Sequence, residues 1–250
     1  MIIDCHTHWG RPWEKRDSGS PVNWLKILDK HQIDKAFLFC EESLFDSSTV
    51  KADNNRIAKL GKLHPDRIIP FGTVWPQHQK LAIDEVKRCI EELGMAGLKF
   101  HPWVQGFSTA DETLGEICLL AGQYGVPMVF HDSTPPYSSS EQVSSLARRF
   151  PKTVIILGHA GGLWNWRSAL ESSRLPNIRL CLSGPTLRTM EIFCQKVAPE
   201  KLLWGSDFGF GLADSINYRL GLFMAANIDK ELRRQILSVN PLRFIKHETN

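Results

Sequence analysis

The chain has 250 residues, 42% hydrophobic and 23% charged, with a formal net charge of +3. This is the balance of a globular chain long enough for one large domain or two small ones. Without a long basic run, with no apolar stretch of membrane-helix length and no basic leader, it sets aside nucleic-acid binders, membrane spans and secreted proteins.

Met1-Ile2-Ile3 opens a short apolar strand that leads into Asp4-Cys5-His6-Thr7-His8. Side chains alternate along a strand, so His6 and His8 share a face, one pleat apart, and can bind one divalent metal ion. An isolated H-x-H pair fits ordinary polar residues equally well, so further ligands must come from elsewhere. A loop of Gly, Pro, Trp and charge follows from Trp9 to Pro21, then a helical pattern over Asn23–His31. Lys35–Cys40 is a continuous apolar run, as a strand buried on both faces requires. After a polar loop, the pattern predicts a helix from about Lys51 to His64, a strand over Ile68–Val74, and a helix over Leu81–Leu93 that stops at Gly94. Ala96–His101 reads as the fourth strand, Glu112–Tyr124 as a helix closed by Gly125, and Met128–His131 as the fifth strand. Ser140–Phe150 is helical with N-cap residues among Ser138–Ser140, and Val154–His159 is the sixth strand. A helix from about Leu163 to Arg174, strand Ile178–Leu182, helix Leu187–Val197 and strand Leu202–Asp207 complete the series. A last helical region spans Ala213–Leu237, with a break near Asp229, before Asn240-Pro241.

Eight buried strands, each followed by a helical segment, fit a (β/α)₈ TIM barrel, one domain over residues 1–250. A doubly wound sheet uses the same alternation, but there is neither a G-x-G-x-x-G after the first strand nor a P-loop. The six cysteines are scattered without a C-x-x-C pair, which fits free core thiols and a cytoplasmic protein.

In a parallel barrel all carboxyl ends of strands open onto one face, where catalytic groups collect. Five of the nine histidines fall at the ends of four such strands: His6, His8, His101, His131 and His159. Asp207 ends the eighth, and Lys99 lies two residues before His101. His31, His64, His78 and His247 sit at helix ends, in a loop and in the tail, where histidine is structural or solvated.

These motifs, His6-Thr7-His8, Gly97-Leu98-Lys99-Phe100-His101-Pro102, His131, His159-Ala160-Gly161-Gly162 and Gly205-Ser206-Asp207, resemble the amidohydrolase superfamily. The resemblance is closer to its amidohydrolase-related branch, which includes aminocarboxymuconate semialdehyde decarboxylase-like enzymes; His64-Pro65-Asp66-Arg67 and Asn240-Pro241 fit it too. It implies a distorted TIM barrel with one divalent metal ion, usually zinc, held by His6, His8, His131 and Asp207, with His159 beside it as a catalytic residue. Chemistry gives compatible roles. A metal-bound water needs a base within reach, which a ligated Asp207 is, and His159 can orient that water or face the developing oxyanion. Some superfamily members carboxylate a lysine on the fourth strand to bridge two metals; the nearer branch does not, so Lys99 is expected to be unmodified.

The rim is rich in tryptophan: Trp9, Trp75, Trp103, Trp164 and Trp166 follow strand ends, as in small-molecule pockets or where loops pack on a barrel. Arg11, Lys99, His101, Trp9 and Trp103 are the expected substrate contacts, Arg11 as a carboxylate anchor. The expected function is hydrolysis of a small carboxylated, lactone or amide-type metabolite. The alternatives are non-oxidative decarboxylation at the same site and a non-catalytic metal-binding barrel. The partner is a small molecule, and a homo-oligomer is compatible with the sequence.

Overall fold

The computed structural model describes residues 1–10, 21–210 and 215–245. Eight parallel strands pair in sequence order: β1 (Ile3–Trp9), β2 (Lys35–Cys40), β3 (Ile68–Gly72), β4 (Gly97–Phe100), β5 (Met128–Phe130), β6 (Ile155–Leu157), β7 (Ile178–Cys181) and β8 (Leu202–Leu203). Backbone bonds from Cys5 to Trp204, His8 to Phe208 and Asp207 to His6 bring β8 back to β1, so the sheet closes into the (β/α)₈ TIM barrel expected from the sequence.

The helices are α1 (Pro21–Lys30), α2 (Glu42–Phe45), α3 (Val50–Leu63), α4 (Lys80–Glu91), α5 (Pro102–Gln105), α6 (Glu112–Tyr124), α7 (Ser140–Arg149), α8 (Trp166–Ser172), α9 (Leu187–Lys196), α10 (Ser215–Ala225), α11 (Lys230–Arg234) and α12 (Asn240–Leu242). Local chemistry sets their ends. Ser139 and Gln142 form a capping box on α7, Asp229 caps α11 after the expected break, and Gly125 closes α6 in the left-handed conformation. Two of the short helices, α2 and α5, lie in segments the sequence leaves as loops.

Strand alternation divides the core. Leu38, Leu98, Phe130 and Leu157 point out against the helices, while Phe37, Phe39, Phe71, Val129 and Ile156 fill the barrel. Phe37 stacks on Phe71 at 4.8 Å and Phe39 meets Phe71 edge-on at 5.3 Å. This aromatic plug closes the barrel beneath the mouth, and His6, His8 and Lys99 border its Phe39 ring. The six cysteines are buried free thiols, and no helix among the described residues is long and apolar enough to cross a membrane.

Candidate metal centre

A bulge in β1 sets up the site. The pairing of β1 with β2 shifts between Asp4 and Thr7, so three steps on β1 match two on β2. Without the extra residue, Ile3 and Cys5 would face opposite to His6 and His8. With it, Ile3 and Cys5 join the inner cluster with Phe37, and His6 and His8 both lie 5.3 Å from the Phe39 ring. Glycines make room for the ring of His6: a Cβ on Gly158 would stand 2.8 Å from its Cε1, and one on Gly205 2.7 Å from its Cβ.

Asp4 then ties the two ends of the barrel together. Its Oδ1 accepts from the backbone N–H of His6 (3.1 Å) and of Ser206 (2.9 Å). The next residue, Asp207, donates its N–H to the His6 carbonyl and has φ of 59°. Aspartate tolerates this left-handed conformation better than most residues. The turn ends β8 four residues earlier than the apolar pattern suggests, and aims the carboxylate at β1. Asp207 Oδ1 lies 3.3 Å from His6 Nε2 and 3.6 Å from His8 Nε2.

The tautomers follow from the hydrogen bonds. His6 Nδ1 is 3.0 Å from the Gly158 carbonyl, which only accepts, so Nδ1 carries the proton and Nε2 keeps its lone pair. Lys99 Nζ donates to that lone pair at 3.0 Å. Just after β7, Ser183 Oγ donates to Gly158 O (2.7 Å) and therefore accepts from His159 Nδ1 (2.8 Å). His159 Nε2 in turn accepts from His131 Nδ1 (2.8 Å), and His131 Nε2 accepts from Thr134 Oγ1 (2.7 Å). The direction of this relay is assigned from one fixed acceptor, the Gly158 carbonyl, which also orients His6.

Burial dominates the electrostatics. It holds His6, His8, His101 and His159 well below the ordinary histidine pKa and His131 at about 3, and the nearby Lys99 charge adds to the effect at each. All five imidazoles are neutral, as metal ligands must be. Burial also raises the Asp207 carboxyl to about 7 against the opposing pull of Lys99, and lowers Lys99 to about 8 against that of Asp207.

The donor set fits a divalent ion. Ligating atoms of His6, His159 and Asp207 lie within 4.8 Å of one another. The 3.3 Å separation of His6 Nε2 and Asp207 Oδ1 is close to the roughly 3.0–3.4 Å expected between two ligands each about 2.1 Å from one ion. His8 Nδ1 is buried without a partner. The second ring nitrogen of His6 is already held by a carbonyl, the arrangement that orients metal-ligating histidines.

The residues expected from the sequence thus converge, with differences in detail. His6, His8, His131, His159, Asp207 and Lys99 surround one point, but the tightest trio contains His159, and His131 reaches it through His159. His101 stacks on His131 (3.7 Å), and its Nδ1 accepts from Val104 N to cap α5. Trp103 is 52% exposed on the rim. Trp9 is not brought to the site: it follows His8 on the outward face, in the outer core, with the Arg56 guanidinium 4.7 Å over its ring. Arg11 lies outside the described residues. Trp75 donates to Ser43 O and packs a loop. Phe210, which stacks on His101 and lies 5.1 Å from His8, forms a wall that no sequence motif marks.

Asp132 is a further missed residue. Its Oδ1 accepts from His159 N (2.7 Å), and its Oδ2 from Gly161 N (2.7 Å) and Ser140 Oγ (2.8 Å). It anchors the β6 loop, where Ala160, Gly161 and Gly162 all have positive φ and delay α8 until Trp166. An amide would oppose one N–H with its own NH₂. Asp132→Asn should cost about 3 kcal/mol of stability and lower kcat by about tenfold or more as His159 loses its place. Thermal melts and kcat both matching the unsubstituted protein would refute this role.

The family model described as Amidohydrolase matches residues 3–246. Among solved structures, 2,6-dihydroxybenzoate decarboxylase in complex with 2,6-dihydroxybenzoate is similar at 18% identity and a TM-score of 0.78, over 98% of this chain and 99% of that one. Dihydroxybenzoic acid decarboxylase from Polaromonas sp. JS666, with bound manganese and the inhibitor 2-nitroresorcinol, is 17% identical with a TM-score of 0.78, over 100% and 98%. 4-Oxalomesaconate hydratase from Rhodopseudomonas palustris is 18% identical with a TM-score of 0.74, over 98% and 95%.

Proposed function

The chain belongs to the amidohydrolase family, and from that premise we propose that it hydrolyses a small carboxylated, lactone or amide-type metabolite, with residues 1–250 acting as one domain. One observation carries the reading: a carboxylate, Asp207, and a neutral imidazole, His159, lie with His6 around one buried point at the barrel mouth. The ligands we assign are His6, His8, His131 and Asp207. A divalent ion held there, zinc in our reading, would supply Lewis-acid polarisation and lower the pKa of water from about 15.7 towards about 7. Asp207, whose Oδ1 lies 3.3 Å from His6 Nε2 and 3.6 Å from His8 Nε2, takes the proton of the attacking water and passes it to the leaving group. His159, its Nδ1–H held by Ser183, presents the acceptor Nε2 beside Asp207 and orients the attacking water by accepting from it in place of His131. Phe210 and Phe39 border the imidazoles and keep bulk water from them.

A second reading has specific support. Two of the structural neighbours named above are decarboxylases, and a carboxylate at the barrel mouth, Asp207, could relay a proton to carbon as carbon dioxide leaves. Protein loaded with zinc or manganese should be screened against lactones, amides, and aromatic and unsaturated carboxylic acids in ¹⁸O water, with carbon dioxide detection. Hydrolysis predicts ¹⁸O in the acid product; carbon dioxide release without ¹⁸O uptake into the organic product decides for decarboxylation. Elemental analysis should find about one divalent ion per chain. If the ion is absent and His6→Ala with His8→Ala leaves activity unchanged, neither reading survives.

A further inference from the structure

Arg219, on α10, is a cation that no reading of the sequence had placed. Its Nη1 donates to the carbonyl of Pro185 at 3.1 Å. Pro185 follows Ser183-Gly184, and the hydroxyl of Ser183 bonds His159. The loop is packed hard here: a Cβ on Gly184 would stand 2.9 Å from the Cβ of His159. The guanidinium thus bonds the loop after β7, the loop whose Ser183 holds His159, and lies 5.3 Å over the ring of Tyr218. Its charge acts on both working residues, favouring the Asp207 anion and disfavouring a His159 cation. Yet among the described residues no carboxylate pairs with it. Among the described residues Arg219 makes no ion pair, and the bond to Pro185 is its one protein hydrogen bond. Asp207 already has a stronger cationic neighbour, since Lys99 leads the charges acting on it. Partial burial without a salt bridge pulls the guanidinium below its usual range. An arginine has five N–H donors in a fork that matches a carboxylate, and most of them here are unused.

We propose that Arg219 anchors a carboxylate of the substrate at the rim, so that the site takes small carboxylic acids whose reacting group points inward to Asp207 and His159. This rests on the active site assigned above and adds the substrate class and the residue that selects it. Lys99, on the floor, serves the reacting end; Arg219 serves the remote end.

The test is calorimetric binding of benzoate, salicylate and maleate to the zinc-loaded chain, with benzamide as the uncharged counterpart of benzoate. Arg219→Met should weaken carboxylate binding by about 10- to 100-fold and leave benzamide binding, zinc content and melting temperature unchanged. Arg219→Lys should restore part of the loss. Carboxylate binding that is unchanged in Arg219→Met overturns the inference. So does a loss of benzamide binding as large as that of benzoate, or a failure of all three carboxylates to bind the unsubstituted protein. Should Arg219→Met not fold, Arg219→Lys and Arg219→Gln are compared, and equal affinity in both overturns it. The two proposals fail separately. Carboxylates that bind through Arg219 without any turnover in the screen defeat the hydrolase reading alone. Turnover of a carboxylated substrate with an unchanged KM in Arg219→Met defeats the anchor alone.

Discussion

His159→Asn should lower turnover by about 100- to 10,000-fold while the protein keeps one divalent ion per chain. The imidazole has two bonded neighbours, Ser183 and His131, and a backbone N–H held by Asp132, so its ring is fixed before any substrate arrives. Asparagine can keep a bond to Ser183 but cannot present a ring nitrogen to the attacking water. His131→Ala is the paired experiment. In our assignment His131 is a ligand, so its loss should reduce metal content first and activity as a consequence. The distinction is sharp because the geometry groups His159, rather than His131, with His6 and Asp207 within 4.8 Å. Metal loss in His159→Asn as large as that in His131→Ala would make His159 a ligand and leave Asp207 to act alone on the substrate. Single-turnover rates together with elemental analysis of both variants separate these outcomes.

What the sequence shows of this architecture is what periodicity can carry. Buried parallel strands such as Lys35–Cys40 read as apolar runs, and the histidines that end four of the eight strands lie on the mouth by the topology alone. Features that depend on contacts between distant segments leave no such trace. The extra residue in β1 is invisible because Asp4–His8 alternates acceptably either way; the pairing with β2 reveals the shift. The end of β8 is misread because Trp204–Ser206 is as apolar and small as a strand, whereas the turn is imposed by bonds to Asp4 and His6. Asp132 had a local signal, a carboxylate one step from a strand-end histidine, but its partners are backbone N–H groups 27 and 29 residues away. Arg219 had none: α10 sits after the last strand, and only the closure of the barrel brings it beside Pro185.

Lys99→Met should lower kcat or raise KM, keep one metal ion per chain, and make the protein more stable. The ammonium is fully buried above the aromatic plug, 5.2 Å from the Phe39 ring centroid, and donates to the lone pair of His6 that a metal requires. An ion and this ammonium compete for His6 Nε2 and repel each other, so removing the charge should tighten metal binding. Removal should also relieve strain on the fold. With its pKa pulled by burial from 10.5 to about 8, Lys99 costs the metal-free protein on the order of 3 kcal/mol where both folded and unfolded states are protonated. That cost is complete below pH 8. It fades as pH rises from about 8 to 10.5, because the folded chain has then released a proton that the unfolded chain still holds. The melting-temperature advantage of Lys99→Met over the unsubstituted chain, both treated with chelator, should therefore be largest below pH 8 and shrink towards pH 10.5. Part of it is offset because Asp207 loses the cation that most favours its charged form. A carboxylated Lys99 bridging two ions predicts the reverse: metal would be lost with the lysine. Such a second ion would also need lone pairs on both His131 and His159, and the Nδ1–Nε2 bond between these rings would have to break. Two ions per chain in the unsubstituted protein, or their loss in Lys99→Met, would establish the bridged site and place His159 among its ligands.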